Sequence, residues 1–268
     1  MASVGLTLIF GIVGLVNFAH GEYLMLAMYS SYWFLTLLGL TPYGSLPFTL
    51  AIMAFLGFLT YKLIMERVLE SSHSIQMLLT LGLSMSLQNL ALILWKADFR
   101  SIRISMTTST IDFWFLHLGS AKVVGFLVAI VASVALYLFL QKTYTGISMR
   151  AVAQNGKAAQ LMGINLSKAY CLAFVIGTAL VGLAGLLLSP VYPAYPTIGI
   201  SFCALCFIVV VIGGLSSVPG AIFGGLLIGL VESFAGYYIG SAFQQAAYFL
   251  LFILVLLFKP TGLFGHRT

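Results

Sequence analysis

A chain of 268 residues that is 61% hydrophobic and only 7% charged, with a mean hydropathy of +1.11, is no soluble domain, where about a quarter of residues carry charge. Its formal net charge of +6 implies no nucleic-acid partner; the basic residues of so apolar a chain matter for which loops they mark. The apolar runs have the roughly 20-residue length of membrane helices and lack the alternation of a membrane barrel, so the chain reads as an all-α polytopic membrane protein.

Residues 1–18 form an apolar segment that closes on a polar knot, Asn17-Phe18-Ala19-His20-Gly21-Glu22. No Lys or Arg precedes Lys62, so a cleavable signal peptide is not expected. Residues 23–40 make the next span, ended by Thr41-Pro42-Tyr43-Gly44, and residues 46–61 the one after. A charged loop then carries Lys62, Glu66, Arg67, Glu70 and His73, and residues 75–95 cross again. Residues 96–121 are an extended polar excursion with Arg100, Arg103 and the aromatics Phe113, Trp114 and Phe115, suited to a short structured segment at a membrane interface. Residues 123–140 return.

Residues 141–168 form the longest water-compatible stretch. Asn155 is read as a helix N-cap, 157–162 as a short helix, and Gly163 as the residue that ends it. Ala158, Ala159, Leu161 and Met162 give that helix an apolar face, with Arg150 and Lys157 as a basic fringe. Such an element outside the bilayer suits a partner's groove, the alternative being an ordinary connecting loop.

Residues 169–189 cross next and run into Pro190-Val191-Tyr192-Pro193-Ala194-Tyr195-Pro196, an extended connection. Spans at 200–212 and 221–239 flank the Gly-rich break 213–220, which is tolerable at membrane depth only when buried in protein or lining a wet cavity. A last span covers 243–258, before the tail. About eight spans result, with broken or re-entrant segments near 17–22 and 213–220.

Placing the loops 62–73 and 141–168 and the tail on one side gathers Lys62, Arg67, Lys142, Arg150, Lys157, Lys168, Lys259 and Arg267 there, against Lys96, Arg100, Arg103 and Lys122 opposite. Eight basic residues against four make the first side cytoplasmic. Cys203 and Cys206 have C-x-x-C spacing but sit with Cys171 inside apolar runs, where Cys is a small hydrophobe. The pairs Gly220/Gly224, Gly225/Gly229, Gly236/Gly240 and Ala173/Gly177 have the spacing of close helix contacts.

Glu232 falls well inside a span, where a carboxylate costs roughly 2.5–3.5 kcal/mol on insertion scales and needs a partner or a wet path. Gln88 and Asn89 are candidate partners, and His20 with Glu22 form a second polar pair. These groups line a substrate path or make a hydrogen-bonded structural knot with a protonated Glu232. No triad, phosphate loop or metal-ligand spacing is present, so the chain is not expected to be an enzyme, nor to bind a metal.

Four stretches together resemble one family. Gly5-Leu6-Thr7-Leu8-Ile9-Phe10-Gly11 with the 17–22 knot is similar to the opening of the permeases of branched-chain amino acid ABC transporters, the LivH/LivM type and closer to LivH. Met149 to Asn155 and Ala158 to Asn165 resemble that family's cytoplasmic coupling loop. Gly213 to Ala221, with Gly224, Gly225, Glu232 and Ser233, resembles its late Gly-rich segment, and Phe258 to Gly265 its C-terminal signature. Two departures stand out. Members usually carry further apolar residues before Gly5, so the first helix is expected to begin partway. The coupling loop has Ile147-Ser148 where Arg-Ala is common, and Gly156-Lys157 where Pro or an acidic residue is.

The resemblance implies a single permease domain over 1–268 in a bacterial inner membrane, C-terminus cytoplasmic, moving branched-chain or related amino acids. Implied partners are two ATP-binding cassette subunits, a second homologous permease chain, an extracytoplasmic substrate-binding protein and membrane lipid. ATP and Mg belong to the partner subunits, and this chain binds no cofactor. Arg150, Asn155, Lys157, Ala158, Ala159, Leu161, Met162 and Gly163 would take the ATPase contact; Asn17, His20, Glu22, Gln88, Asn89, Gly213, Gly214 and Glu232 would line the path. The competing class is an ion-coupled secondary transporter or channel with Glu22, His20 and Glu232 as a proton relay, and a third is a scaffold subunit without a path. A self-contained transporter does not need a docking element at 143–168.

Overall fold

In the computed structural model, residues 1–69, 71–102, 110–113 and 116–265 are described; the expectations resting on Glu70, Arg103, Trp114, Phe115 and Arg267 lie outside them. The described helices are α1 (Ala2–Val13), α2 (His20–Leu38), α3 (Leu46–Leu63), α4 (His73–Trp95), α5 (Ser120–Lys142), α6 (Tyr144–Gln154), α7 (Gly156–Leu161), α8 (Leu166–Leu188), α9 (Ile198–Gly213), α10 (Val218–Tyr238) and α11 (Gln244–Phe258). The polar excursion contains a two-stranded hairpin that the sequence alone does not announce: β1 (Thr110–Phe113) pairs antiparallel with β2 (Leu116–Gly119), Thr110 opposite Gly119.

The chain is a multi-pass membrane protein. Among the described residues, six helices are long and apolar enough to cross: α3 (with the 3-10 turn Met65–Arg67), α4, α5, α8, α10, and α11 (with the 3-10 turn Ser241–Phe243). This does not confirm about eight. α1 and α9 are apolar but only 12 and 16 residues long, and α2 opens on His20-Gly21-Glu22.

Burial sorts the helices. In the apolar stretch of α8, 67% of residues are buried, against 11% for α4, 17% for α5 and 6% for α11. So α8 is the hub, packed on α1, α2 and α3, while α4, α5 and α11 turn Ile93, Val131 and Leu257 outward, as lipid demands. Small residues let the hub's neighbours come close: a methyl on Gly5 would sit 2.6 Å from the Gly177 carbonyl, and one on Gly185 2.5 Å from that of Leu24.

The Gly-rich break is shorter than expected, residues 214–217 alone. Gly213 and Gly220 touch backbone to backbone where α9 and α10 meet, and Gly214 turns with φ +103°. The tail closes it: the amides of Leu263 and Phe264 donate to the carbonyls of Ile212 (2.7 Å) and Gly213 (3.1 Å). Gly213 and Gly214 are thereby buried and held by backbone bonds, whereas Leu215 and Ser216 at the tip of the break are exposed.

Candidate functional site

Two regions hold the expected site residues. The first is the junction between α1 and α2. Gly14, at φ +72°, ends α1, and the chain runs irregularly to Ala19. Neighbouring helices satisfy the freed carbonyls: the Thr80 hydroxyl donates to Val16 (3.2 Å) and the Cys203 thiol to Phe18 (3.2 Å). Asn17 Oδ1 accepts the Ala19 amide (3.1 Å), and Glu22 Oε1 accepts the Ser84 hydroxyl (3.2 Å). His20 Nε2 lies 3.0 Å from the Ala2 carbonyl, so Nε2 carries the proton and Nδ1 is left as an acceptor.

Three atoms at this junction are buried without a partner among the described residues: Asn17 Nδ2, His20 Nδ1 and Glu22 Oε2. Leaving such a group dry costs about 1–3 kcal/mol, so the junction has a donor and two acceptors to offer water or a passing polar solute. Gly199, in the first turn of α9, leaves the gap that Glu22 Oε2 occupies; a methyl there would lie 2.6 Å from that oxygen.

The other expected path residues lie elsewhere. Asn89 is exposed, and its amide donates to the Met85 carbonyl of its own helix (2.8 Å). Gln88 is half-buried on α4, which packs against α2, so neither residue is brought to Glu232. α10, which carries Glu232, packs chiefly on α9, α11 and α1, away from His20 and Glu22. Glu232 instead lies within electrostatic reach of Tyr192 and Tyr248. Gly213 and Gly214 are buried at the α9–α10 turn, where the tail bonds to the Ile212 and Gly213 carbonyls. No group of three or more His, Cys, Asp or Glu among the described residues has a metal-holding arrangement.

Thr80, Ser84 and Cys203 are the junction residues that sequence reasoning missed. A signal was present: Gln76, Thr80, Ser84 and Gln88 recur every four residues, a polar stripe on one face of α4. Its first two members, Gln76 and Thr80, are buried, and Gln76 Nε2 donates to the Val68, Leu69 and Ser71 carbonyls.

The second region is the α6–α7 element. Helix α7 is where the sequence placed it, one residue earlier at each end: the Asn155 side chain accepts the Ala158 amide (3.0 Å), and Gly163 takes φ +84°. Residues 144–154, read only as loop, form α6. Thr143 starts it, its hydroxyl accepting the Gly146 amide (3.0 Å) and donating to the Phe139 carbonyl (2.7 Å).

The expected apolar face divides. Ala159 is buried with Met149 and Val152 against Val4, Leu8 and Ala169, which bolts the element to α1 and α8. Leu161 and Met162 are 89% and 83% exposed. Lys157 and Ala158 are exposed beside them, whereas Arg150 is no free fringe: its Nε donates to the Leu140 carbonyl at the end of α5 (2.9 Å). Just beyond, the Ser167 hydroxyl donates to Glu66 (2.8 Å), Tyr61 donates to Ser167 (3.1 Å), and Lys62 pairs with Glu66 (2.6 Å). The loop after α3 and the start of α8 are thus tied together at one end of the bundle.

A family model described as "Branched-chain amino acid transport system / permease component" matches residues 1–258. The high-affinity branched-chain amino acid transport system permease protein BraD of Pseudomonas aeruginosa is 30% identical, over 99% of this chain and 91% of its own length. The LivH protein of Escherichia coli, of the same description, is 31% identical over 99% and 91%. A probable branched-chain amino acid transport permease protein LivH of Methanocaldococcus jannaschii is 31% identical over 99% and 88%. No solved structure matches.

Proposed function

This chain belongs to the family of branched-chain amino acid transport system permease components, and from that premise we propose that it is the membrane-spanning subunit of an ATP-driven importer of branched-chain or related amino acids. It acts as one permease domain over 1–268 in a bacterial inner membrane, beside a second permease chain and below an extracytoplasmic binding protein. Two separate ATPase subunits hold ATP and Mg, hydrolyse the nucleotide and grip α7 from the cytoplasm. Helices α1, α2 and α9 complete the crossing, bringing the count above the six that pass on length and composition.

The observation that carries this is the α6–α7 element: a capped helix, bolted by Ala159 into the core, that leaves Leu161 and Met162 bare. Two large apolar side chains exposed outside a bilayer need a cover, and a groove on a partner supplies one. Movement of α7 passes to α8, which starts five residues after Leu161, and α8 is the helix on which α1, α2 and α3 rest. Such a push rocks packed helices as bodies. The junction at Asn17, His20 and Glu22 lies where those bodies meet and offers the open hydrogen-bonding atoms a zwitterionic solute uses in passing. An ion-coupled relay finds no support: its third member, Glu232, lies on a helix not packed against α2.

The test is ATP-dependent uptake of labelled leucine into proteoliposomes holding the assembled transporter. Leu161→Asp with Met162→Asp leaves the chain folded, since both side chains are exposed, and is expected to cut uptake at least tenfold by expelling the ATPase subunits. Uptake and co-purification equal to wild type would refute the docking role.

A further inference from the structure

A cavity of about 560 Å³ lies between α1, α5, α6 and the start of α10, and nothing above uses it. Its polar lining includes Arg150, Gln141, Gln154 and Ser216; its apolar lining includes Leu8, Ile12 and Tyr137. No acidic residue among the described ones lines it. The Arg150 Nε is taken by the Leu140 carbonyl, which fixes the guanidinium in place, and no carboxylate among the described residues pairs with it. The positive end of the 21-residue α10 opens at the same spot. Thr7 contributes a second, independent sign of an occupant: it lines the cavity, is 1% exposed, and its hydroxyl has no partner among the described residues.

The surroundings say what kind of anion fits. α5 and α10 border this opening and carry exposed apolar side chains along their length, among them Val131, Val134, Phe223 and Leu226. Tyr137, at the rim, is 40% exposed. A basic pocket with both polar and apolar lining, bordered by two helices that expose apolar side chains, matches a phospholipid: phosphate at Arg150, acyl chains along α5 and α10. We propose that this cavity is a binding site for an anionic phospholipid headgroup, with Arg150 as the charge partner and Gln141, Gln154 and Ser216 as hydrogen-bond partners.

The site shares its roof with the docking element, because Arg150 belongs to α6 and clamps it to α5. A phosphate on Arg150 stiffens that joint. Lipid bound there would therefore tune how firmly α7 is held. It does not depend on which solute the chain carries or on the ATPase contact, so the two ideas fail separately.

The test uses the purified full chain in nanodiscs of phosphatidylcholine mixed with phosphatidylglycerol, with retained lipid counted by native mass spectrometry. Wild type is expected to hold phosphatidylglycerol in preference to phosphatidylcholine. Gln154→Glu, an exposed position that adds a like charge at the cavity, should weaken this about fivefold, the worth of roughly one surface charge. Arg150→Gln should do the same and Arg150→Lys restore it; if Arg150→Gln does not fold, Gln154→Glu alone decides. Equal retention of both lipids, or no effect of Gln154→Glu, overturns the proposal. Displacement of phosphatidylglycerol by millimolar inorganic phosphate would also overturn it, by assigning the site to a soluble anion. So would loss of the lipid when the transporter assembles, which would assign the cavity to a partner chain.

Discussion

At the scale of single residues, the strongest constraints come from glycines that hold helices against one another. A methyl placed on Gly21 would collide with the Gly199 carbonyl and lie 2.8 Å from the Cys203 β-carbon, and backbone cannot step aside as a side chain can. Gly21→Ala is therefore expected to destabilise the chain by roughly 1–3 kcal/mol, the usual cost of overpacking. Gly229, with nothing within 4 Å, is the control: alanine there should be neutral or slightly stabilising through helix propensity. Thermal unfolding of the two detergent-purified variants checks both, and equal midpoints would show that the α2–α9 approach is slack. The same contact seats Glu22 beside the first turn of α9, so Gly21→Ala should lower uptake as well as stability.

At the scale of elements, α7 depends on its caps. Asn155→Ala removes the acceptor for the Ala158 amide, worth about 1 kcal/mol, and with only six residues the helix has little else of its own to hold it. Asn155→Asp keeps the acceptor and should behave as wild type. Amide exchange at 156–161 is the measurement: faster in Asn155→Ala, unchanged in Asn155→Asp. This cap was legible in the sequence because an Asn before a short apolar run and a Gly after it are local signals. Helix α6 was not, because its buried positions Gly146, Met149 and Val152 make sense only once α1 and α5 are known to lie beneath them. The polar junction divides the same way. Asn17, His20 and Glu22 stood out as polar groups in an apolar run, but Thr80, Ser84 and Cys203 complete the site from two other helices, across separations of more than 60 residues. Asn89 misled for the converse reason: an amide on a membrane helix can satisfy itself on its own backbone.

At the scale of the whole molecule, the distribution of charge and the architecture sort the ends of the bundle alike. The Ser167–Glu66 bond joins the loop after α3 to the start of α8, the cavity lining joins 140–154 to 216–219, and the tail bonds to 212–213. At the opposite end Arg100 pairs with Ala194 through backbone bonds of 2.8 and 2.9 Å and lies over the rings of Tyr32 and Trp33. Two ends that differ so much in basic residues should be held on fixed sides. Met162 and Asp98 report them, since the first is 83% exposed and the second has a side chain 67% exposed. Met162→Cys is expected to react with a membrane-impermeant maleimide only in inside-out vesicles, and Asp98→Cys only in right-side-out ones. Background labelling should be low, because Cys203 and Cys206 are buried and Cys171 is half-buried. Labelling of Met162→Cys from the outside would remove the ATPase from its proposed place, since no nucleotide-driven subunit works there, while leaving the helix packing untouched.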